Sequence, residues 1–93
     1  MDYTSAQIDR ARGLGKGVVK FAGELMLSGA DADRTHREYV MKALELLADV
    51  EALGLLAVPG DRGSVIAIEN QIARLSRLRR DAARQLALYS DSD

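Results

Sequence analysis

Apolar residues recur at helical spacing in three segments of the chain, residues 4–27, 33–53 and 64–89. In each segment the apolar positions fall on one side when successive residues are placed about 100° apart, and charged residues fall mainly on the other side. Two short stretches containing glycine and aspartate, residues 28–33 and 58–63, separate the segments. The pattern predicts a single all-helical domain of three helices, with the second and third helices packed as an antiparallel hairpin.

The residues at the segment boundaries predict where each helix begins and ends. Side chains that accept hydrogen bonds from free helix N–H groups stand near each start, and glycines follow two of the ends. The predicted N-caps are Thr4 or Ser5, Asp31 or Asp33, and Ser64, and the predicted stops are Gly29 and Gly54.

The first helix contains three glycines within five residues, Gly13, Gly15 and Gly17. Each costs up to about 1 kcal/mol relative to alanine in a helix interior, so the sequence predicts a kink or break at this point. The same small residues also allow another helix to approach closely.

A β-hairpin is the alternative for residues 55–68. The stretches 55–58 and 64–68 are apolar, and the second is rich in β-branched residues; they flank Gly60-Asp61-Arg62-Gly63, which is typical of a turn. The stretch Leu53-Gly54-Leu55-Leu56, followed by Asp61-Arg62-Gly63 and a short apolar run, resembles the wing of winged-helix regulators, over less than a fifth of the chain. The resemblance implies a DNA-binding transcriptional regulator with an α+β fold.

The second helix has more apolar residues than one neighbouring helix covers. Tyr39 lies on its main apolar face, whereas Met41 and Leu44 lie beyond that face. In a chain this short, with a core only just large enough, the surplus predicts packing against a partner, and a homodimer is expected.

The third helix carries a heptad-like seam in which Arg79 takes a position that is otherwise apolar. A buried, unpaired guanidinium is very costly, so the side chain must reach the edge of the seam or meet a carboxylate. We expect Arg79→Leu to keep the helices and to change oligomeric state or partner binding.

Five arginines lie within eleven residues of the third helix, and Arg77, Arg80 and Arg84 share one exposed side. Guanidinium groups match carboxylates as well as phosphates. The alternative is a solvated flank, or ion pairs with Glu45 and Asp49 of the second helix. The formal net charge of −1 and the lack of interleaved aromatic residues argue against nucleic acid as the ligand.

Little in the composition points to catalysis or to a cofactor. The chain has no cysteine and one histidine, His36, so thiolate chemistry and cysteine or histidine-rich metal sites are excluded. No serine lies in a nucleophile motif. The apolar runs are far shorter than the roughly 20 residues of a membrane helix, and the start lacks the basic region of a signal peptide, which predicts a cytoplasmic protein.

These observations favour a non-enzymatic protein-interaction module, such as a small adaptor, regulator or inhibitor, without cofactor or metal. It is expected to act as a dimer through an amphipathic helical face. The expected partner-binding residues are Tyr39, Met41, Leu44, Arg77, Arg79, Arg80 and Arg84.

Overall fold

A computed structural model describes residues 3–29, 31–56 and 61–90. The chain forms three helices, α1 (Tyr3–Met26), α2 (Ala32–Leu56) and α3 (Arg62–Ser90), and no strand occurs within the described ranges. The all-helical prediction is therefore confirmed.

Contacts between the helices set their directions and register. Along α1, Ile8 packs against Gly54 and Gly15 against Leu47, so residue numbers rise in α1 as they fall in α2. In contrast, α1 and α3 run in the same direction, because Gln7 contacts Glu69 while Gly17 contacts Arg79. It follows that α2 and α3 run in opposite directions, as in the predicted hairpin. The molecule is a rod with extents of 52 × 18 × 18 Å.

The core lies along the line where the three helices meet. The first helix packs against each of the other two more extensively than they pack against each other. Small residues on α1 make this possible, since Ala11, Gly15 and Ala22 are buried there. The larger core side chains come mainly from α2 and α3; the main buried cluster consists of Ala11, Leu46, Val50, Ile68, Ile72 and Leu75.

The expected break in α1 is absent: the helix runs without interruption through its three central glycines. A Cβ at Gly15 would lie 2.5 Å from Leu47 Cδ1, and one at Gly17 would lie 2.5 Å from Arg79 Nε. Tertiary packing of α1 between its two neighbours outweighs the weak helix propensity of these glycines.

The observed helix ends agree in part with the ends predicted from the sequence. Gly29 has φ of +113° just after α1, as expected of a residue that stops a helix, and Asp31 directly precedes α2. By contrast, Gly54 does not end α2, which continues to Leu56. Thr4 and Ser5 lie inside α1, which begins at Tyr3.

The N-cap of α3 is Asp61 rather than Ser64. Its carboxylate accepts hydrogen bonds from the Gly63 N–H at 3.1 Å and from the Ser64 hydroxyl at 2.7 Å. The helix therefore starts two residues before the predicted cap.

The β-hairpin alternative is wrong for the residues that the structure describes. Leu55 and Leu56 belong to α2, and residues 64–68 belong to α3. The β-branched residues of the proposed second arm fit the helix because Ile68 is fully buried in the core. Residues 57–60, which include the rest of the first arm and Pro59, lie outside the described ranges.

Candidate functional site

An exposed apolar surface runs along α1 and α2. It consists of Val19, Met41, Leu44 and Leu55, which are 43%, 63%, 58% and 88% exposed; we call it the α1–α2 face. Leu44 and Leu55 are eleven residues apart, about three helical turns, so they lie on the same side of α2. The sequence identified Met41 and Leu44 but not Val19 and Leu55.

A groove between the two helices runs beneath this face. Its volume is about 280 Å³ and its walls are almost entirely apolar. It is lined by Arg12, Gly15, Lys16, Val19, Ala43, Leu44 and Leu47. Within the groove, Leu47 packs directly against Gly15, in the place that a side chain there would take.

Charged residues of both helices stand near the α1–α2 face, and two of them, Arg12 and Lys16, line the groove. Arg12 and Lys16 belong to α1, whereas Glu45 and Glu51 belong to α2. Arg12 bridges the two helices by pairing with Glu51 at 3.3 Å, and Glu45 pairs with Lys42 of its own helix at 3.5 Å. In the described part of the chain no ion pair engages Lys16. Lys16 therefore adds a positive charge to the α1 side of the groove, and Glu45 lies next to Leu44 in α2.

A second exposed surface lies on α3 and consists of Arg74, Arg77, Arg80 and Arg84; we call it the arginine face. No carboxylate within the described ranges lies within ion-pairing distance of these four side chains. The ion pairs considered with Glu45 and Asp49 are not formed there.

The arginine face borders a groove between α1 and α3 of about 270 Å³, lined by Arg10, Glu69, Ile72, Ala73, Ser76, Arg77 and Arg80. Glu69 already accepts a hydrogen bond from Gln7 at 2.8 Å and pairs with Arg10 at 3.9 Å. Among the described residues, its ion pair is with Arg10 of α1 and not with Arg77 or Arg80.

Tyr39 belongs to neither surface. It is half-buried on the side of α2 that faces α3. Burial, followed by the negative charges of Asp81 and Glu38, raises the pKa of its hydroxyl. The structure thus separates Tyr39 from Met41 and Leu44, with which the sequence had grouped it.

Arg79 reaches the edge of the helix interface, the first of the two outcomes expected from its position. Its stem lies across Gly17, and its guanidinium lies 5.6 Å from the centre of the Phe21 ring. The residue remains exposed to solvent. Because Arg79 faces α1, it is not part of the arginine face.

Sequence reasoning missed Gln7, the only buried polar or charged side chain in the described ranges. Its amide donates to the Glu69 carboxylate at 2.8 Å and to the Val65 carbonyl at 3.4 Å. These bonds fix the register of α1 on α3. Nothing in the residue type separates it from an exposed glutamine; only its place next to the apolar face of α1 hints at burial.

No catalytic constellation is formed by the parts of the chain that the structure describes. His36 is half-buried and makes no hydrogen bond to Asp33 there. Over the same residues, no cluster of three or more acidic, histidine or cysteine side chains is arranged to hold a metal ion. None of the three helices is both long enough and apolar enough to cross a bilayer.

Comparison of the chain with protein families, curated proteins and solved structures finds no match. The surfaces described above are therefore the basis for a functional conclusion.

Proposed function

We propose that this protein is a non-enzymatic protein-interaction module that acts as a homodimer through the α1–α2 face. The observation that carries the proposal is the exposure of Val19, Met41, Leu44 and Leu55 along one flank of the rod. Isolated exposed apolar residues are ordinary, but a row of them above an apolar groove is typical of an interaction site.

The dimensions of the rod suit a dimer. A flank 52 Å long and 18 Å wide is large enough for the roughly 800 Å² per partner of a standard interface. A core shared between two copies also offsets the small core of a 93-residue chain.

Lys16 and Glu45 favour a second copy as the occupant. In a two-fold arrangement with the axis along the groove, α1 of each copy lies on α2 of the other. Lys16 of one copy would then approach Glu45 of the other, which would exchange its pairing with Lys42 for one across the interface. Because two-fold symmetry repeats the contact, one complementary pair supports the dimer twice.

The winged-helix alternative gains no support from the structure. Residues 64–68, which the alternative assigned to a wing strand, form the start of α3. The formal net charge of −1 also disfavours binding driven by phosphate contacts.

Sedimentation velocity of the full chain and of two variants tests the proposal. We expect the wild type to sediment as a dimer and Leu44→Glu to sediment as a monomer with unchanged helical circular dichroism, because a charge in the apolar interface is costly. The matched control is Ile66→Glu on α3, since Ile66 is 59% exposed and Leu44 58%.

The control variant should remain a dimer. A wild type that stays monomeric over the micromolar range, or a Leu44→Glu variant that dimerises as well as the wild type, would contradict the proposal.

A further inference from the structure

The arginine face is a surface whose pattern extends beyond the arginines. Ile66 and Leu88 each lie eleven residues from Arg77, three helical turns in either direction, and so share its side of α3. They are 59% and 60% exposed. The face thus presents a basic centre with an apolar residue at each end.

The basic centre is not explained by the stability of α3. Arg77, Arg80 and Arg84 follow one another at spacings of three and four residues, where like charges destabilise a helix. Asp81 is the one carboxylate among them, and no ion pair joins it to an arginine in the described ranges. Four guanidinium groups and one carboxylate leave an excess of positive charge on this part of α3, although the chain as a whole has a formal net charge of −1.

Two of the residues that line the adjoining groove on α3, Ala73 and Ser76, have small side chains. They line it together with Arg77 and Arg80 of α3 and Arg10 of α1. A helix from another protein can therefore approach this groove closely. Its side chains would then reach the guanidinium groups that line the groove. Small residues at a helix contact allow such an approach.

We propose that the arginine face binds an acidic amphipathic helix of another protein. That helix would carry carboxylates at spacings of three and four residues in its middle and an apolar side chain near each end. From Ile66 to Leu88 the face spans about 33 Å, at 1.5 Å per residue. Carboxylates form paired hydrogen bonds with guanidinium groups, which supplies orientation as well as attraction.

The apolar ends favour a protein over a nucleic acid. Phosphates need no apolar contact, and single-stranded bases need exposed aromatic side chains on which to stack. The arginine face and its apolar ends, as described, contain no aromatic residue. The proposal does not depend on the dimer, because Arg77 and Leu44 lie on different surfaces of the rod.

Fluorescence anisotropy with a synthetic peptide tests the proposal. The probe is a labelled helical peptide of about 24 residues, with glutamates at spacings of three and four residues in the middle and a leucine near each end. A scrambled peptide of identical composition is the control. We expect the patterned peptide to bind at least about tenfold more tightly than the scrambled one, since charge alone does not distinguish them.

Variants of the protein locate the binding. We expect Arg80→Glu to weaken binding of the patterned peptide at least about tenfold, and Leu88→Ala to weaken it a few fold. Arg37→Glu on α2 is the matched charge control and should leave the affinity within about twofold. Leu44→Glu, which tests the dimer, should bind the peptide as the wild type does.

Three results would overturn the proposal. They are equal affinity for the patterned and scrambled peptides, no binding of either, and displacement of the patterned peptide by an equimolar single-stranded or duplex DNA oligonucleotide. If the peptide binds and the wild type is a monomer, the arginine-face proposal stands and the dimer proposal fails.

Discussion

Gly13 and Gly15 lie two residues apart in α1 but have different surroundings. A Cβ at Gly13 would meet nothing within 4 Å, whereas a Cβ at Gly15 would lie 2.5 Å from Leu47 Cδ1 and 3.1 Å from its Cγ. The first glycine only weakens the helix, while the second permits the contact between α1 and α2. The residue type is the same, and the neighbouring helix makes the difference.

Alanine substitutions at these two positions should therefore have opposite effects. We expect Gly13→Ala to raise the free energy of unfolding by up to about 1 kcal/mol, through helix propensity alone. Gly15→Ala should lower it by about 1 kcal/mol or more, because displacing Leu47 outweighs the same gain in propensity. Urea denaturation of the two variants measures both values. Equal stabilisation by both substitutions would show that Leu47 moves aside without cost.

Tyr39 combines burial with two nearby negative charges. Its pKa is raised, so the folded state favours the neutral hydroxyl more than the unfolded state does. The stability that this contributes is complete below the ordinary tyrosine pKa of about 10 and is lost as the pH rises through the raised value.

We therefore expect alkaline conditions to destabilise the wild type more than the Tyr39→Phe variant. Thermal unfolding followed by circular dichroism from about pH 8 to pH 11 checks this difference. Tyr89→Phe serves as the control substitution. If the wild type and Tyr39→Phe lose stability in parallel as the pH rises, ionisation of Tyr39 does not cause the loss of stability at high pH.

At the scale of the element, the start of α3 depends on Asp61. The Ser64 hydroxyl, followed by the Gly63 N–H, donates hydrogen bonds to its carboxylate and lowers its pKa. The ionised cap therefore stabilises α3 above the ordinary aspartate pKa. That contribution is lost as the pH falls through the lowered value.

We expect Asp61→Ala to lower the thermal midpoint at neutral pH and to remove this part of the acid sensitivity. Asp61→Asn keeps a hydrogen-bond acceptor at the cap, so it should retain more stability than Asp61→Ala but lose the same pH dependence. Asp49→Ala, an exposed position inside α2, is the control. An Asp61→Ala variant as stable as Asp49→Ala would show that another group caps α3.

At the scale of the whole molecule, the dimer proposal makes a prediction about charge. If Lys16 of one copy meets Glu45 of the other, Lys16→Glu and Glu45→Lys should each raise the dimer dissociation constant roughly two- to fivefold. The double variant should recover much of the loss, because the pair is restored with its signs exchanged.

Concentration-dependent sedimentation equilibrium measures these dissociation constants. Independent, additive losses in the double variant would contradict the two-fold arrangement with the axis along the groove. Additivity would leave open an apolar dimer of different geometry, which the Leu44→Glu variant tests separately.

The periodicity of the apolar residues was sufficient to predict three helices and most of their buried faces. Val18, Val50 and Ile72 all lie on predicted faces and are buried. The helix ends and breaks expected from the low helix propensity of glycine were wrong where packing against a neighbouring helix favours a continuous helix. Gly54 looked like a helix end but instead lets Ile8 approach α2, and the glycines of α1 did not break the helix.

The candidate site was predicted less completely than the fold. Met41 and Leu44 were expected to lie outside the main core and are exposed, but Tyr39 faces α3 and Arg79 lies over Phe21. A helical pattern gives the direction in which each side chain points around the axis of its helix. It does not tell which flank of that helix the next helix covers.

The sequence by itself determined the number of helices and the face that each one buries, because both follow from spacing along the chain. Only the tertiary structure decided which exposed residues share a surface. Close contacts at Gly15, Gly17 and Gly54 set the height and direction of each helix against its neighbours. Those contacts join residues far apart in the chain, and they place Leu44 beside Val19 and Arg77 on a separate surface.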